Sequence, residues 1–258
     1  MNKKIVVLGL GISGLGAAIL AKKKGYDVFV SDIGYISEKN KKVLFNYNIN
    51  WEEGKHTVKK ILNAKEVVKS PGISDQIDIV KQLNNKNIPI ISDVEFAFRY
   101  TKAKIAAITG SNGKTTTTLL LGDILKNAGY NVLIAGNVGI SFALSIAEKK
   151  YDYIVLELSS FQLDGIHKFR SDIAIILNIT PDHLERYNGK FENYIASKFK
   201  ITQNQTKKDV LIYNTDDSIL NNIKSQAKKI PISLEKKYDE GGVLDKKKII
   251  IKLNNYTM

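Results

Sequence analysis

Short apolar runs alternate with helical patterns along almost the whole chain. Residues 5–8, 27–31, 66–69 and 88–91 are rich in Val and Ile and have the length of buried strands. Between the first two, residues 13–24 place Leu15, Ala18 and Ile19 on one helical face. Ser70-Pro71-Gly72 is a turn signal after the third run, and residues 93–100 read as a short helix. The rhythm breaks at Thr101-Lys102-Ala103-Lys104 and then restarts. Residues 105–109 predict a strand and 114–128 a helix. Residues 132–135, 153–157 and 173–178 predict strands with helices between them. Residues 190–202 are helical, 210–213 a strand, and Asn214-Thr215-Asp216-Asp217 a turn. Residues 247–253 predict a last strand, after which residues 254–258 add no closing helix. This alternation predicts an α/β fold with mainly parallel strands. It divides into a domain over 1–98 and a second over 104–258, the latter expected to be incomplete. No sequence period relates the two halves.

Composition narrows the function classes. A chain of 258 residues accommodates two domains of ordinary size. Its 43% hydrophobic and 25% charged residues are those of a globular protein. No apolar run approaches the roughly 20 residues of a membrane span, so no membrane insertion is expected. The basic, then apolar start at Met1-Asn2-Lys3-Lys4 reads as a first strand and not an export signal, because glycines follow at once. Cysteine is absent, which excludes disulfides and thiolate metal sites and makes the cytoplasm the expected compartment. The net charge of +13 raises the question of nucleic acid. Only Arg99, Arg170 and Arg186 supply forked donors, and lysine is spread along the chain. The charge therefore reads as a solvated surface, with no nucleic-acid partner.

Two glycine loops carry the chemistry. Gly9-Leu10-Gly11-Ile12-Ser13-Gly14 lies between a strand and a helix, where a dinucleotide fingerprint belongs. Its glycines allow a tight turn and close approach of a phosphate to the backbone. The helix start offers unpaired N–H groups and partial positive charge. Asp32 closes the second strand near the usual spacing of a ribose-binding acid. The alternative is a glycine turn that packs helix on strand, with Asp32 as a turn residue. A nicotinamide cofactor is the oxidoreductase reading, which no other feature supports.

The second loop, Gly110-Ser111-Asn112-Gly113-Lys114-Thr115-Thr116, follows an apolar strand and opens a helix. Its glycines can wrap phosphates, Lys114 can reach the β and γ oxygens, and Thr115 can ligate Mg²⁺. The spacing is shorter than that of the standard P-loop, because Ile108 stands where its first glycine would be. A solvated turn with a helix cap explains Ser and Gly but not Gly-Lys-Thr-Thr after a buried strand. Glu157 ends the strand 153–157, and Asp182 and His183 follow the next. Acids at the carboxyl ends of parallel strands lie where open α/β sheets bind ligands, so Glu157 and either His183 or Asp182 are candidate metal ligands. His56 and His167 have no such context.

These motifs resemble those of the Mur ligases, the ATP-dependent amino-acid ligases of peptidoglycan synthesis and hence of cell shape and division. The likeness is greatest to the members that add D-glutamate to UDP-N-acetylmuramoyl-L-alanine. It rests on both loops and on Ser70-Pro71-Gly72-Ile73, Gly136-Asn137-Val138-Gly139, Glu157-Leu158-Ser159-Ser160-Phe161-Gln162-Leu163, Asn178-Ile179-Thr180-Pro181-Asp182-His183 and Ala196-Ser197-Lys198. The resemblance implies a Rossmann-like first domain that binds the UDP-sugar through Gly11, Ile12, Ser13, Gly14, Asp32 and Gly72. It implies a P-loop-type ATPase domain in which Gly110 to Thr116 hold ATP. Asn137, Ser159 and His183 would face the sugar–peptide portion or its metal. Thr115 and Glu157 would ligate one Mg²⁺, His183 a second, and Lys198 would be carbamylated. Lys114, Glu157, His183 and Lys198 are then the catalytic set. Read without the family, Lys198 is an exposed helix lysine. The family's amino-acid-binding third domain is not in this sequence, so the chain, a monomer, is expected to bind UDP-sugar, to hold nucleotide weakly and not to ligate. The alternatives are a non-catalytic UDP-sugar binder, another Mur ligase, or a relative of folylpolyglutamate synthase.

Overall fold

The computed structural model describes residues 3–246, 248–253 and 256–257. The chain forms two compact units. The first comprises residues 1–102, 139–151 and 161–169, and the second 103–138, 152–160 and 170–258. The first change of unit falls between Lys102 and Ala103, and two later segments return to the first unit.

In the first unit the order is β1 (Lys4–Leu8), α1 (Ile12–Lys23), β2 (Asp27–Ser31), α2 (Glu38–Asn46), β3 (Asn50–Glu52), α3 (Val58–Ile61), β4 (Glu66–Lys69), α4 (Asp78–Asn85), β5 (Ile90–Ile91) and α5 (Asp93–Phe98). The five strands pair in parallel in the order β3-β2-β1-β4-β5. Strand order reverses between β1 and β4, which puts the glycine loop after β1 and the Ser70-Pro71-Gly72 turn after β4 side by side at the carboxyl edge. Val6 and Leu8 face a core with Phe29, Val67, Ile79 and Leu83. Ile5 and Val7 point to the opposite face and are equally buried. A sheet covered on both faces explains why these strands read as continuous apolar runs.

Helix α1 is built for close packing. A Cβ on Gly14 would stand 1.9 Å from the Gly9 carbonyl oxygen, and one on Gly16 would stand 2.0 Å from Ser141 Oγ. Ser141 caps α7 (Phe142–Glu148), whose side-chain oxygen accepts from Leu144 N, and α7 packs on α1 and α5. The second returning segment is tied by Glu95. This buried carboxylate accepts hydrogen bonds from the backbone N–H groups of His167, Lys168 and Phe169 at 2.8–2.9 Å.

The second unit runs β6 (Lys104–Thr109), α6 (Lys114–Asn127), β7 (Val132–Gly136), β8 (Tyr153–Glu157), β9 (Ile173–Ile176), α9 (Phe191–Phe199), β10 (Val210–Asn214), β11 (Lys228–Ser233), β12 (Gly241–Asp245), β13 (Lys248–Leu253) and β14 (Tyr256–Thr257). The short α8 (Ser160–Asp164) begins at the end of its 152–160 segment. Among the described residues the sheet order is β14-β13-β12-β11-β10-β9-β6-β8-β7. All pairs are parallel except β12–β13 and β13–β14. The expected strand over 247–253 is β13, with Lys247 outside the described residues. β11 and β12 were not predicted by periodicity, because Lys228, Lys229, Pro231 and two glycines interrupt their apolar pattern.

The single tryptophan, Trp51, lies in β3 and reports on the first unit. Gly14→Ala forces a methyl group against backbone and is expected to destabilise that unit by about 1–3 kcal/mol, read by urea unfolding through Trp51 fluorescence. Gly11→Ala meets no atom within 4 Å and is expected to stay within about 0.5 kcal/mol of wild type. Equal stabilities for the two variants would contradict this packing.

Candidate active site

The second unit gathers its polar side chains at the carboxyl ends of β6, β8 and β9. The loop after β6 begins at Gly110 (φ +156°), where a Cβ would lie 3.1 Å from Leu177 Cβ, and ends at Gly113 (φ +81°), the N-cap of α6. Both dihedrals favour glycine. No side chain caps α6 and no acid occupies its first turn. Its first amides therefore have neither an intrahelical nor a capping partner, which leaves an end suited to an anion.

The loop is held from the β9 side. Ser111 N donates to Asn178 O, and Asn112 N donates to Asn178 Oδ1 at 2.8 Å. Ser111 Oγ donates to Thr180 O and accepts from Thr180 N, each at 2.9 Å. Tyr194 Oη lies 3.2 Å from the same hydroxyl. Asn178, Thr180 and Tyr194 were not singled out individually from the sequence. The readable signal was the spacing of Tyr194 and Lys198, four residues apart on one face of α9.

Two lysine amines converge on this loop. Lys114 Nζ donates to the carbonyl oxygens of Gly110 and Ser111 at 2.9 and 2.8 Å. Lys198 Nζ donates to the same Gly110 oxygen at 2.7 Å and lies 4.6 Å from the centre of the Tyr194 ring. Lys198 is 1% exposed, so the solvated helix lysine that periodicity alone suggests is corrected. Its stem is buried, and among the described residues no carboxylate is a hydrogen-bond partner of its amine. Burial, and after it the Lys114 cation, lower this amine to about 7, with Asp182 opposing both.

At the end of β8, Glu157 is 2% exposed. Its Oε2 accepts from Thr115 Oγ1 at 2.7 Å and its Oε1 from Asn137 Nδ2 at 2.9 Å. Asn137 reaches it because Gly136 (φ +110°) passes so close to Glu157 that a Cβ would lie 2.1 Å from its carbonyl oxygen. Lys114, Thr115, Asn137, Glu157 and Lys198 thus share one edge of the unit. His183 follows β9 with left-handed backbone (φ +51°) and is half exposed, its ring near Asp182 and Glu185 at 3.5 and 3.9 Å. Ser159 lies in the loop after β8 and is partly buried. Among the described residues no three His, Cys, Asp or Glu side chains converge as a metal cluster. The donor set that could hold Mg²⁺ is hydroxyl and carboxylate oxygen from Thr115 and Glu157, hard ligands that fit that ion.

The first unit places its candidates separately. Asp32 Oδ2 accepts from Leu10 N at 2.6 Å and Oδ1 from Gly34 N at 2.8 Å, so it braces the glycine loop. Ser70 Oγ donates to Gly9 O at 2.8 Å from the neighbouring turn. Gly11 and Gly72 have open space where a Cβ would project. Helix α1 starts at Gly11 with no side-chain cap and no acid in its first turn. His56 Nδ1 lies 2.7 Å from Ser31 Oγ beside Glu52, a buried polar cluster.

Lys198 gives a pH test. An amine with a lowered value costs the fold most below about pH 7, and this cost fades as pH rises toward the ordinary lysine range. In bicarbonate-free buffer, the melting temperature of Lys198→Met minus that of wild type is expected to be most positive near pH 6 and to fall steadily toward pH 9. A difference independent of pH would contradict the lowered amine.

The fold and both loops have relatives. Residues 108–256 match the Mur ligase middle domain and residues 4–79 the MurD N-terminal domain. A Christiangramia forsetii protein named UDP-N-acetylmuramoylalanine–D-glutamate ligase is 51% identical over 261 residues, covering 99% of this chain and 58% of that relative. The Bacteroides fragilis protein of the same name is 58% identical over 218 residues, covering 84% of this chain and 49% of the relative. The chain thus spans about half the length of these curated relatives. Among solved structures, the UDP-N-acetylmuramate:L-alanyl-γ-D-glutamyl-meso-diaminopimelate ligase of Neisseria meningitides shares the fold, with a TM-score of 0.61 at 18% identity over 100% of this chain and 86% of its own. With a middle-domain match that takes in more than half of its residues, the chain belongs to the Mur ligase family.

Proposed function

We propose that this chain holds the UDP-sugar and ATP-phosphate sites of an amide ligase that adds D-glutamate to UDP-N-acetylmuramoyl-L-alanine in peptidoglycan synthesis. The observation that carries this reading is the meeting of Lys114 and Lys198 on one loop carbonyl, at an uncapped helix start beside Glu157 and Thr115. The Lys114 cation and the uncapped first amides of α6, with the Glu157 carboxylate engaged by Thr115 and Asn137, suit a polyphosphate.

In this reading Lys114 turns from the Gly110 and Ser111 carbonyls to the β and γ oxygens of ATP. The substrate's terminal carboxylate attacks the γ-phosphorus, ADP leaves, and an acyl phosphate forms. The D-glutamate amine then attacks the acyl carbon, expels phosphate and loses a proton. The chain's contribution is to orient the reactants and offset developing negative charge. Thr115 and Glu157 would hold Mg²⁺, which supplies charge neutralisation at the phosphates when bound. Asn137 keeps the Glu157 carboxylate turned toward Thr115. Lys198, with its amine near 7, is populated as the neutral nucleophile that carbon dioxide requires, which fits carbamylation. That change replaces a second cation by an anion beside the metal ligands. Gly11, Ile12, Ser13, Gly14, Asp32 and Gly72 serve the UDP portion, and Asn137, Ser159 and His183 the sugar–peptide end. ATP, Mg²⁺ and these small molecules are the partners, a monomer in the cytoplasm is the setting, and membrane insertion and nucleic acid have no part. No described helix is long and apolar enough to cross a membrane.

A direct test joins this chain to the C-terminal domain of a full-length relative, compares that fusion with its Lys114→Ala form, and measures phosphate release with ATP, UDP-N-acetylmuramoyl-L-alanine and D-glutamate. Turnover is expected to fall at least about a thousandfold, as loss of a charge-stabilising donor does, while UDP-sugar affinity stays within about threefold. Turnover that survives the substitution would remove Lys114 from this role.

A further inference from the structure

Lys69, the last residue of β4, is a lysine that no step above uses. Its side chain is only 11% exposed. The amine donates to Ile73 O at 2.8 Å and pairs with Asp75 Oδ1 at 3.0 Å, so it reaches over the Ser70-Pro71-Gly72 turn that its own strand feeds. Within the turn, Ile73 N donates to Ser70 O at 3.1 Å. On its other side the turn meets the first glycine loop. Ser70 Oγ donates to Gly9 O, and a Cβ on Gly9 would stand 3.0 Å from Ile73 Cδ1. All these residues belong to the first unit.

We propose that Lys69 is a positioning residue for nucleotide-diphosphate binding: by tying the Ile73 carbonyl and Asp75 it fixes the 70–73 turn as the second wall of a slot whose first wall is the Gly9 loop. This rests on the UDP-sugar reading of the first unit. Such a wall needs a tie. Behind the turn lies a cavity of about 200 Å³, whose lining includes Lys69, Asp75, Asn84, Ile91, Ser92 and His167. Packing therefore supports the turn poorly from that side, and the two contacts of the amine take its place. In front, Gly72 has open space where a Cβ would project, so a ligand can approach its backbone closely. A wall that is already ordered leaves less entropy for binding to remove, which raises affinity without a new contact.

The charge of Lys69 does not explain its place. A lysine that served the diphosphate as a cation would keep its amine for the ligand. Here the amine is paired with Asp75 and committed to a backbone carbonyl. The two roles respond differently to salt. A direct phosphate contact weakens as ionic strength rises, whereas a tie within the turn leaves the salt dependence of binding unchanged. They also respond differently to substitution. Arginine can keep a donor on Ile73 O. The Asp75 side chain is 57% exposed, so its ion pair contributes little, and Asp75→Asn leaves the bond to Ile73 O in place.

The test is isothermal titration of the 258-residue chain with UDP-N-acetylmuramoyl-L-alanine and, separately, with UDP, at low and at physiological ionic strength. Lys69→Met is expected to weaken both ligands about tenfold at either ionic strength, since both carry the diphosphate. Lys69→Arg and Asp75→Asn are expected to stay within about threefold of wild type. Trp51 fluorescence checks that each variant is folded. If Lys69→Met does not fold, Lys69→Gln decides, because its shorter side chain cannot hold both partners: about tenfold weakening of both ligands supports the proposal, and wild-type affinity overturns it. Wild type that binds while folded Lys69→Met binds within about twofold overturns the role of Lys69 alone. So does Lys69→Arg as weak as Lys69→Met, or a Lys69→Met that loses the salt dependence of wild type. Wild type that binds neither ligand overturns the UDP-sugar reading and this inference with it.

Discussion

Two lysine amines donate to one carbonyl oxygen, that of Gly110, and much of the second unit is arranged so that they can. Lys114 comes from the helix that the loop opens, and Lys198 from α9, a distant part of the chain. Like charges this close raise each other's cost, and a carbonyl dipole offsets only part of it. The loop stays in place because Asn178, Thr180 and Tyr194 clamp Ser111 and Asn112 from the β9 side. Asp182 offsets only part of that cost, since the Lys198 amine still falls to about 7. Glu157, a buried carboxylate on the same edge, is committed to Thr115 and Asn137. A site built this way gains most from a ligand that carries several negative charges.

The parallel sheet is what makes such convergence possible. Parallel strands send every helix start and every strand-end loop to the same edge. In the second unit this collects the Gly110 loop, Glu157 and the segment from Asn178 to His183. In the first unit it collects the Gly9 loop, Asp32 and the Ser70 turn. The two units thus use the same device, an uncapped helix after a glycine loop. They differ in what surrounds it: lysines in the second, and Asp32 with the Ser70 turn in the first.

Much of this was legible in the sequence. The runs at 5–8, 105–109 and 153–157 are strands because sheets buried on both faces demand continuous apolar residues, and the glycine loops stand out by position and spacing. Glu157 was legible as an acid at a strand end. Other features depend on three-dimensional closeness that no period encodes. The return of residues 139–151 to the first unit depends on Gly16 admitting Ser141, which reads in sequence only as one more small residue in a helix. β11 carries two lysines and a proline, so its pattern looks like a loop until its neighbours bury it. Lys198 reads as a surface lysine because periodicity cannot tell a covered polar face from a solvated one. Lys69 reads as the polar end of a strand, and no period shows that it reaches across the turn that follows it.

The central claim is that the loop from Gly110 to Lys114 is a polyphosphate site completed by an anion. Titration calorimetry of the chain with inorganic tripolyphosphate and Mg²⁺ tests it most directly, since no base or sugar contributes. The account predicts one site per chain that is lost in Lys114→Met and kept in Lys126→Met, which removes an equal charge from the far end of the same helix. Equal loss in both variants would mean that the ligand sees only the protein's overall positive charge, and would contradict the account.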